Sequence, residues 1–219
     1  MPPLPPTHVI FDLDGTLLDT EPLYTLAAQA VVSRYGKVFD WEIKRQIMGG
    51  GPLVGARFVV ERLGLPITAE EYLERREAIL RELCTSVLAM PGAEQLVEAL
   101  HGRGIPMAVG TSSRLELCEL KLAAQPFAKH FSVIVCSDDP EVHQAKPAPD
   151  IFLVAAARMG ADPARCLVFE DTTKGVEAAH TAGMQVIAVP DPHMRSEDFS
   201  VALSVVDSLE QVTLERLGL

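Results

Sequence analysis

Two hydrophobic rhythms divide this chain. Short apolar runs rich in β-branched and aromatic residues recur at His8–Phe11, Pro106–Thr111, Ser132–Cys136, Cys166–Glu170 and Gln185–Val189. They lack polar alternation and end in turn-forming residues, which predicts strands buried on both faces. Between them, apolar residues fall at helical spacing over Ala93–His101, Leu115–Ala124, Asp150–Met159 and Thr173–Ala182. Gly102, Gly104, Gly160 and Gly183 stand where those helices should stop, as helix C-termini favour. Such alternation with short connections predicts an α/β fold, a doubly wound parallel sheet with helices on both faces. The stretch Val201–Leu219 predicts one more short strand and a terminal helix.

One interval breaks the alternation. From about Thr20 to about Leu88 the pattern is helical throughout, with no convincing strand. Leu23–Val32 carries apolar residues at helical spacing, Asp40 caps a segment towards Met48, and a third segment runs from Leu53 to Leu63 and stops at Gly64. A fourth opens on Thr68 and Glu71, a capping box in which each side chain satisfies the other's backbone donor. The reading is a small helical bundle, residues 20–88, inserted into a core of residues 7–19 and 89–219, after a proline-rich disordered lead-in at 1–6.

Composition narrows the function classes. Of the 219 residues 48% are hydrophobic, ample for a core, and no segment is long and apolar enough to span a bilayer. The opening Met1-Pro2-Pro3-Leu4-Pro5-Pro6 lacks the charge and apolar run of a signal peptide. Cys84, Cys118, Cys136 and Cys166 show no Cys-x-x-Cys spacing, so reduced buried thiols and a cytoplasmic location are expected. A formal net charge of −11 argues against nucleic acid and anionic membranes as partners. It leaves small phosphorylated substrates open, because a site's own cations and N–H groups act over a few ångströms.

The candidate chemistry gathers at the ends of the apolar runs. His8–Phe11 leads into Asp12-Leu13-Asp14-Gly15-Thr16, two carboxylates spaced two apart before a turn glycine. One carboxylate there can act as nucleophile and its neighbour as general acid and base; their mutual repulsion favours a bound cation. Alone, Asp-x-Asp reads equally well as an acidic loop. Thr111 and Ser112 close the second run with hydroxyls and backbone N–H groups suited to phosphate oxygens. Lys146 offers a cation on a proline-bounded turn, and Glu170-Asp171 a second acidic pair. Each is weak singly; in this order, at separate strand ends, they are specific.

This set resembles the four motifs of the haloacid dehalogenase superfamily of phosphohydrolases, over about His8 to Val206. Longer stretches, among them Asp19-Thr20-Glu21, Met90-Pro91-Gly92-Ala93 and Val168-Phe169-Glu170-Asp171, are similar to the branch that holds pseudouridine-5′-phosphatase and related small-metabolite phosphatases. The resemblance implies a Rossmann-like core, a mobile cap formed by the insert, and a monomer acting on a small phosphorylated metabolite, such as pseudouridine 5′-phosphate or a sugar or polyol phosphate. It implies Asp12 as nucleophile, Asp14 as general acid and base, Lys146 stabilising charge, and Thr111, Ser112 and Lys146 holding phosphate. Mg2+ would be bound by Asp12, the Asp14 main-chain carbonyl and Asp171, with Glu170 either a ligand or a support for one. A mutase of the β-phosphoglucomutase type shares these motifs, but its pattern has a histidine where this chain has Tyr24. A non-catalytic phospholigand-binding protein is the alternative from another class, disfavoured by the intact acidic set. In the insert, Gly49-Gly50-Gly51 replaces a long polar residue that relatives place after the first glycine, so the missing substrate contact would come from elsewhere, with Arg57 as candidate. The glycines themselves read as a flexible helix connection rather than as a backbone cradle.

Overall fold

The computed structural model describes residues 5–219. Strands β1 (His8–Phe11), β2 (Met107–Gly110), β3 (Phe131–Val135), β4 (Cys166–Glu170), β5 (Gln185–Ala188) and β6 (Ser204–Val205) form one sheet in the order β3-β2-β1-β4-β5-β6. Every pairing in it is parallel. The chain starts at the middle of the sheet, winds outward to β3, returns past β1 to β4, and winds outward the other way. The direction therefore reverses between β1 and β4. In open α/β sheets the crevice beyond the strand ends at such a reversal is where ligands bind.

Strand residues alternate between two cores, because successive side chains of a strand point to opposite faces. Val9, Phe11, Val109, Leu167 and Phe169 join helices α5 (Ala93–Gly102) and α6 (Leu115–Ala123) on one face. Ile10, Ala108, Val168 and Val186 join α7 (Asp150–Met159) and α8 (Thr173–Thr181) on the other. Phe11 and Phe169 stack across the β1–β4 seam at 5.1 Å between ring centroids. Each fully buried side chain of this size contributes about 1.5–3 kcal/mol, so the seam beneath the strand ends is among the firmest parts of the sheet.

Within the insert, α1 (Glu21–Ser33), α2 (Trp41–Ile47), α3 (Pro52–Leu63) and α4 (Ala69–Leu83) surround a core of their own that includes Val31, Val32, Phe39, Val59 and Tyr72. The expected punctuation is present. The Asp40 carboxylate accepts the Ile43 N–H at 3.0 Å, and Thr68 and Glu71 close their capping box at 3.1 and 2.8 Å. Gly64 ends α3 at φ 61°. Entry and exit of the insert run side by side, joined by Asp19 N–H to Leu88 O at 2.9 Å and Met90 N–H to Leu17 O at 2.8 Å. Ala27, Leu80, Cys84 and Leu117 pack α1 and α4 against α6 of the core.

Two expectations are corrected. The short strand in Val201–Leu219 is β6, but the terminal helix is absent: a 3-10 turn at Leu209–Gln211 is followed only by turns. The cause is spacing. Leu209, Val212, Leu214, Leu217 and Leu219 all pack on the first core, and in a helix those positions would spread over more than half the circumference. The lead-in is corrected in part. Residues 1–4 of it lie outside the described residues, whereas Pro6 is buried and the Pro5 carbonyl accepts from Arg165 Nε at 2.9 Å, so these two are held on the core rather than disordered. All four cysteines are free and buried. No helix among the described residues is long and apolar enough to cross a membrane.

Candidate active site

Asp12 continues the ladder of β1, its N–H donating to Phe169 O at 2.9 Å, so its carboxylate sits over the β1–β4 seam. β4 delivers Glu170 and Asp171 to the same place, each 1% exposed. Two glycines make the approach possible. Gly15 turns at φ 86°, and a Cβ there would lie 2.3 Å from Asp171 Oδ2. A Cβ on Gly175 in α8 would lie 1.6 Å from Glu170 Oε1. Lys146 enters from the loop before α7, fully buried, and donates to Asp12 Oδ1 at 2.6 Å, Glu170 Oε1 at 2.8 Å and Gly110 O at 3.1 Å. These three acceptors use all three ammonium protons.

One ammonium does not balance three carboxylates. Asp12, Glu170 and Asp171 place one oxygen each within 4.8 Å of the others, leaving two negative charges in excess. Burial, and then the charges of Glu170 and Asp14, push the Asp12 carboxyl up to about 7 against the pull of Lys146. Burial, Glu170 and Asp12 push Asp171 well above the usual carboxylate range. Lys146 moves the other way. Burial opposes its charge, but Asp12 and Glu170 outweigh that and hold it protonated well above a free lysine. Both directions follow from crowding several acids around one base. Asp171 Oδ2 is buried with no hydrogen-bond partner among the described residues. An all-oxygen donor set with a surplus charge of two and an orphaned carboxylate oxygen fits a hard divalent cation. Glu170 is already engaged elsewhere: its Oε2 accepts from the Thr172 N–H at 2.8 Å and the Thr172 hydroxyl at 2.9 Å.

Asp14 belongs to a second network, which sequence reasoning missed. Lys121 Nζ donates to Asp14 Oδ1 at 2.5 Å, to Ser113 Oγ at 2.7 Å and to Tyr24 OH at 3.1 Å. Ser113 Oγ donates to Asp14 Oδ2 at 2.6 Å. Burial would raise the Asp14 carboxyl, but Lys121 and the surrounding hydrogen bonds outweigh it and hold the group below its ordinary value. The available signal was position: Lys121 shares the buried stripe of α6 with Leu117, Cys118 and Leu122. A lysine on an apolar helix face with a charged head has to meet an acid inside. Thr111 is fully buried, its hydroxyl accepting from the Ser113 N–H at 3.0 Å and lying 3.5 Å from Asp14 Oδ2. The site thus brings together Asp12, Asp14, Thr111, Ser112, Glu170 and Asp171 along one cavity, with Lys146 behind Asp12.

The insert supplies the facing wall, including Tyr24, Lys44, Gly49 and Arg76. Lys44 is neutralised by Glu21 at 3.0 Å. Arg76 is 7% exposed, and its buried Nε has no hydrogen-bond partner among the described residues. Arg57, the expected substrate contact, is exposed and does not line the cavity. It lies one residue beyond the buried Gly55–Ala56 pair, on the outer side of α3. The glycine loop is also more than a connection. Gly49, at φ 68°, accepts from the Ser112 hydroxyl at 3.4 Å, and a Cβ there would come 2.4 Å from Thr172 Oγ1. Lacking side chains, the loop lies directly on the core loops that carry Ser112 and Thr172.

A family model described as haloacid dehalogenase-like hydrolase matches residues 6–183. The chain is 46% identical over 217 residues to a probable pseudouridine-5′-phosphatase of Drosophila melanogaster, covering 97% of this chain and 94% of that one. It is 42% identical over 221 residues to (DL)-glycerol-3-phosphatase 2 of Arabidopsis thaliana, covering 97% and 91%. The structure of CbbY from Rhodobacter sphaeroides in complex with phosphate superposes with a TM-score of 0.85 at 27% identity, covering 97% and 99%. The chain belongs to the haloacid dehalogenase-like hydrolases, and it is a phosphatase.

Proposed function

We propose that this phosphatase is a magnesium-dependent phosphomonoesterase that cleaves a small phosphorylated metabolite by phosphoryl transfer to Asp12. The observation that carries the reading is the Asp12 carboxylate, oriented by Lys146 at 2.6 Å where the sheet reverses direction, with the second carboxylate of Asp14 beside it. Asp12 Oδ attacks phosphorus as the ester P–O bond breaks; Asp14, ionised before substrate arrives, takes up a proton when the anionic phosphate binds beside it and gives that proton to the departing alkoxide. Asp14 then takes a proton from water, whose oxygen bonds to phosphorus and frees Asp12 and inorganic phosphate. Thr111 and Ser112 hold phosphate oxygens, and Lys146 offsets the charge gathering there. Asp12, the Asp14 main-chain carbonyl and Asp171 would hold Mg2+, which when bound offsets repulsion between the nucleophile and the phosphate dianion. Glu170, with both oxygens occupied by Lys146 and Thr172, supports Lys146 instead.

Residues 20–88 act as the cap, closing on the paired linkers at Leu17–Asp19 and Leu88–Met90 and excluding water during transfer. Choice of alcohol falls to that wall, where Arg76, its buried Nε without a hydrogen-bond partner among the described residues, offers its guanidinium to oxygens of the leaving group. The relatives' names support alcohols of the nucleoside and polyol kind, so pseudouridine 5′-phosphate is the first compound to test and glycerol 3-phosphate the second. Phosphate release is expected with Mg2+ and lost with EDTA. Asp12→Asn is expected to abolish release while circular dichroism stays unchanged. Substantial turnover by Asp12→Asn would end the covalent reading, and glucose 6-phosphate formed from β-glucose 1-phosphate would point to a mutase.

A further inference from the structure

Two lysines are buried in this site, and each is bound to a different aspartate. Lys146 holds Asp12; Lys121 holds Asp14. Lys121 is fully buried on α6, while the Asp14 side chain is 17% exposed towards the cavity. Its ammonium spends its protons on Asp14 Oδ1, Ser113 Oγ and Tyr24 OH, and Ser113 in turn donates to Asp14 Oδ2. Both carboxylate oxygens are therefore set by a charge and a hydroxyl that are themselves locked together, and the carboxylate plane cannot turn without breaking a charge-assisted hydrogen bond.

We propose that Lys121 is the positioning residue for the proton-transfer carboxylate, acting with Ser113 to aim Asp14 at the leaving group. Lys121 does not line the cavity and does not touch substrate. Its ammonium occupies Oδ1, so Oδ2, backed only by hydroxyls, is the oxygen left to exchange a proton with leaving group and water. The insert takes part through Tyr24 of α1, whose phenol reaches both Lys121 and Ser113, the latter at 3.1 Å. Position of the insert and aim of Asp14 are thereby joined in one set of hydrogen bonds. The proposal rests on the reading of Asp14 as acid and base.

Lys121→Met keeps length and removes the charge. On glycerol 3-phosphate with Mg2+, kcat is expected to fall roughly 10- to 100-fold with KM within about twofold, a partial loss of the roughly 100- to 10,000-fold that general acid–base catalysis supplies. Tyr24→Phe, which leaves the ion pair in place, is expected to lower kcat less and in the same direction. The decisive measurement is the double variant. If Lys121 works through Asp14, Lys121→Met costs less than about twofold more once Asp14→Asn is present, because contacting residues that act as a unit are not additive. Independent multiplication of the two losses would overturn the proposal, as would a change confined to KM. A crystal structure of Lys121→Met separates it from the phosphatase reading. Asp14 rotated off Ser113 supports positioning whatever the turnover, and Asp14 unmoved refutes it.

Discussion

Arg76 brings a positive charge into the cavity wall with the Tyr24 ring beside it, 5.5 Å from guanidinium carbon to ring centroid. Other cations there are matched, Lys44 by Glu21 at 3.0 Å and Arg114 by Glu77 at 3.5 Å. A buried charge with no ion-pair partner among the described residues lowers stability, and its retention makes sense if a ligand oxygen completes it. Hydrogen bonds to charged groups contribute about 1.5–3 kcal/mol. Arg76→Met is therefore expected to raise KM for the preferred substrate by about ten- to a hundredfold while raising the melting temperature, the trade found where a site is held in tension with the fold. Steady-state kinetics and calorimetry on one preparation check both halves. An unchanged KM would remove Arg76 from the substrate.

At the scale of elements, the acidic corner depends on how closely α8 approaches β4. The Thr172 hydroxyl caps α8 by accepting the Gly175 N–H at 3.2 Å while donating to Glu170 at 2.9 Å. Glu170 thus lies under the first turn of the helix, and Gly175 has no room for a side chain. Gly175→Ala must push Glu170 away from Lys146 or lift the helix. A loss of about 2–4 kcal/mol is expected, with most of the activity. Gly50→Ala is the control, since its Cβ would meet first the Lys174 Nζ at 3.3 Å, the far end of a long side chain that can give by a few tenths of an ångström, and it should be near neutral. Denaturant melts of the two variants should differ accordingly; equal stability would show that the corner yields more readily than its packing implies.

Across the whole molecule, the acidic corner ties stability to pH and to metal. Asp12, pushed up to about 7, and Asp171, pushed well above the ordinary range, both bind protons more tightly folded than unfolded. For carboxyls raised in this way the stabilising contribution is complete below the unfolded value near 4. It is lost as pH rises through the folded value, about 7 for Asp12. Magnesium bound to the same oxygens would replace those protons. The melting temperature of metal-free protein should therefore fall between pH 5.5 and pH 8 by more than that of protein in excess Mg2+. A Mg2+-induced shift that is equal at both pH values would contradict a cation bound among these carboxylates.

The alternation of apolar runs and helical stripes determined the sheet, the helices on its two faces and the interruption at 20–88, because burial on both faces writes itself into consecutive residues. That Asp12, Asp14, Thr111, Glu170 and Asp171 would meet was legible for a related reason. They stand at strand ends, and parallel strands bring their ends to one edge whatever lies between. Lys121, Tyr24 and Arg76 were not legible as site residues, since each lies within a helix where local pattern shows only an inward or outward face. Which inward residue meets which partner depends on how α1, α4 and α6 cross, and Lys121 finds Asp14 across 107 positions of sequence. The same limit hid the last turns of the chain, where Leu209 to Leu219 are anchored singly on a core built elsewhere. Periodicity records what a segment does for itself; tertiary packing decided which segments meet, and so which buried charges could be balanced.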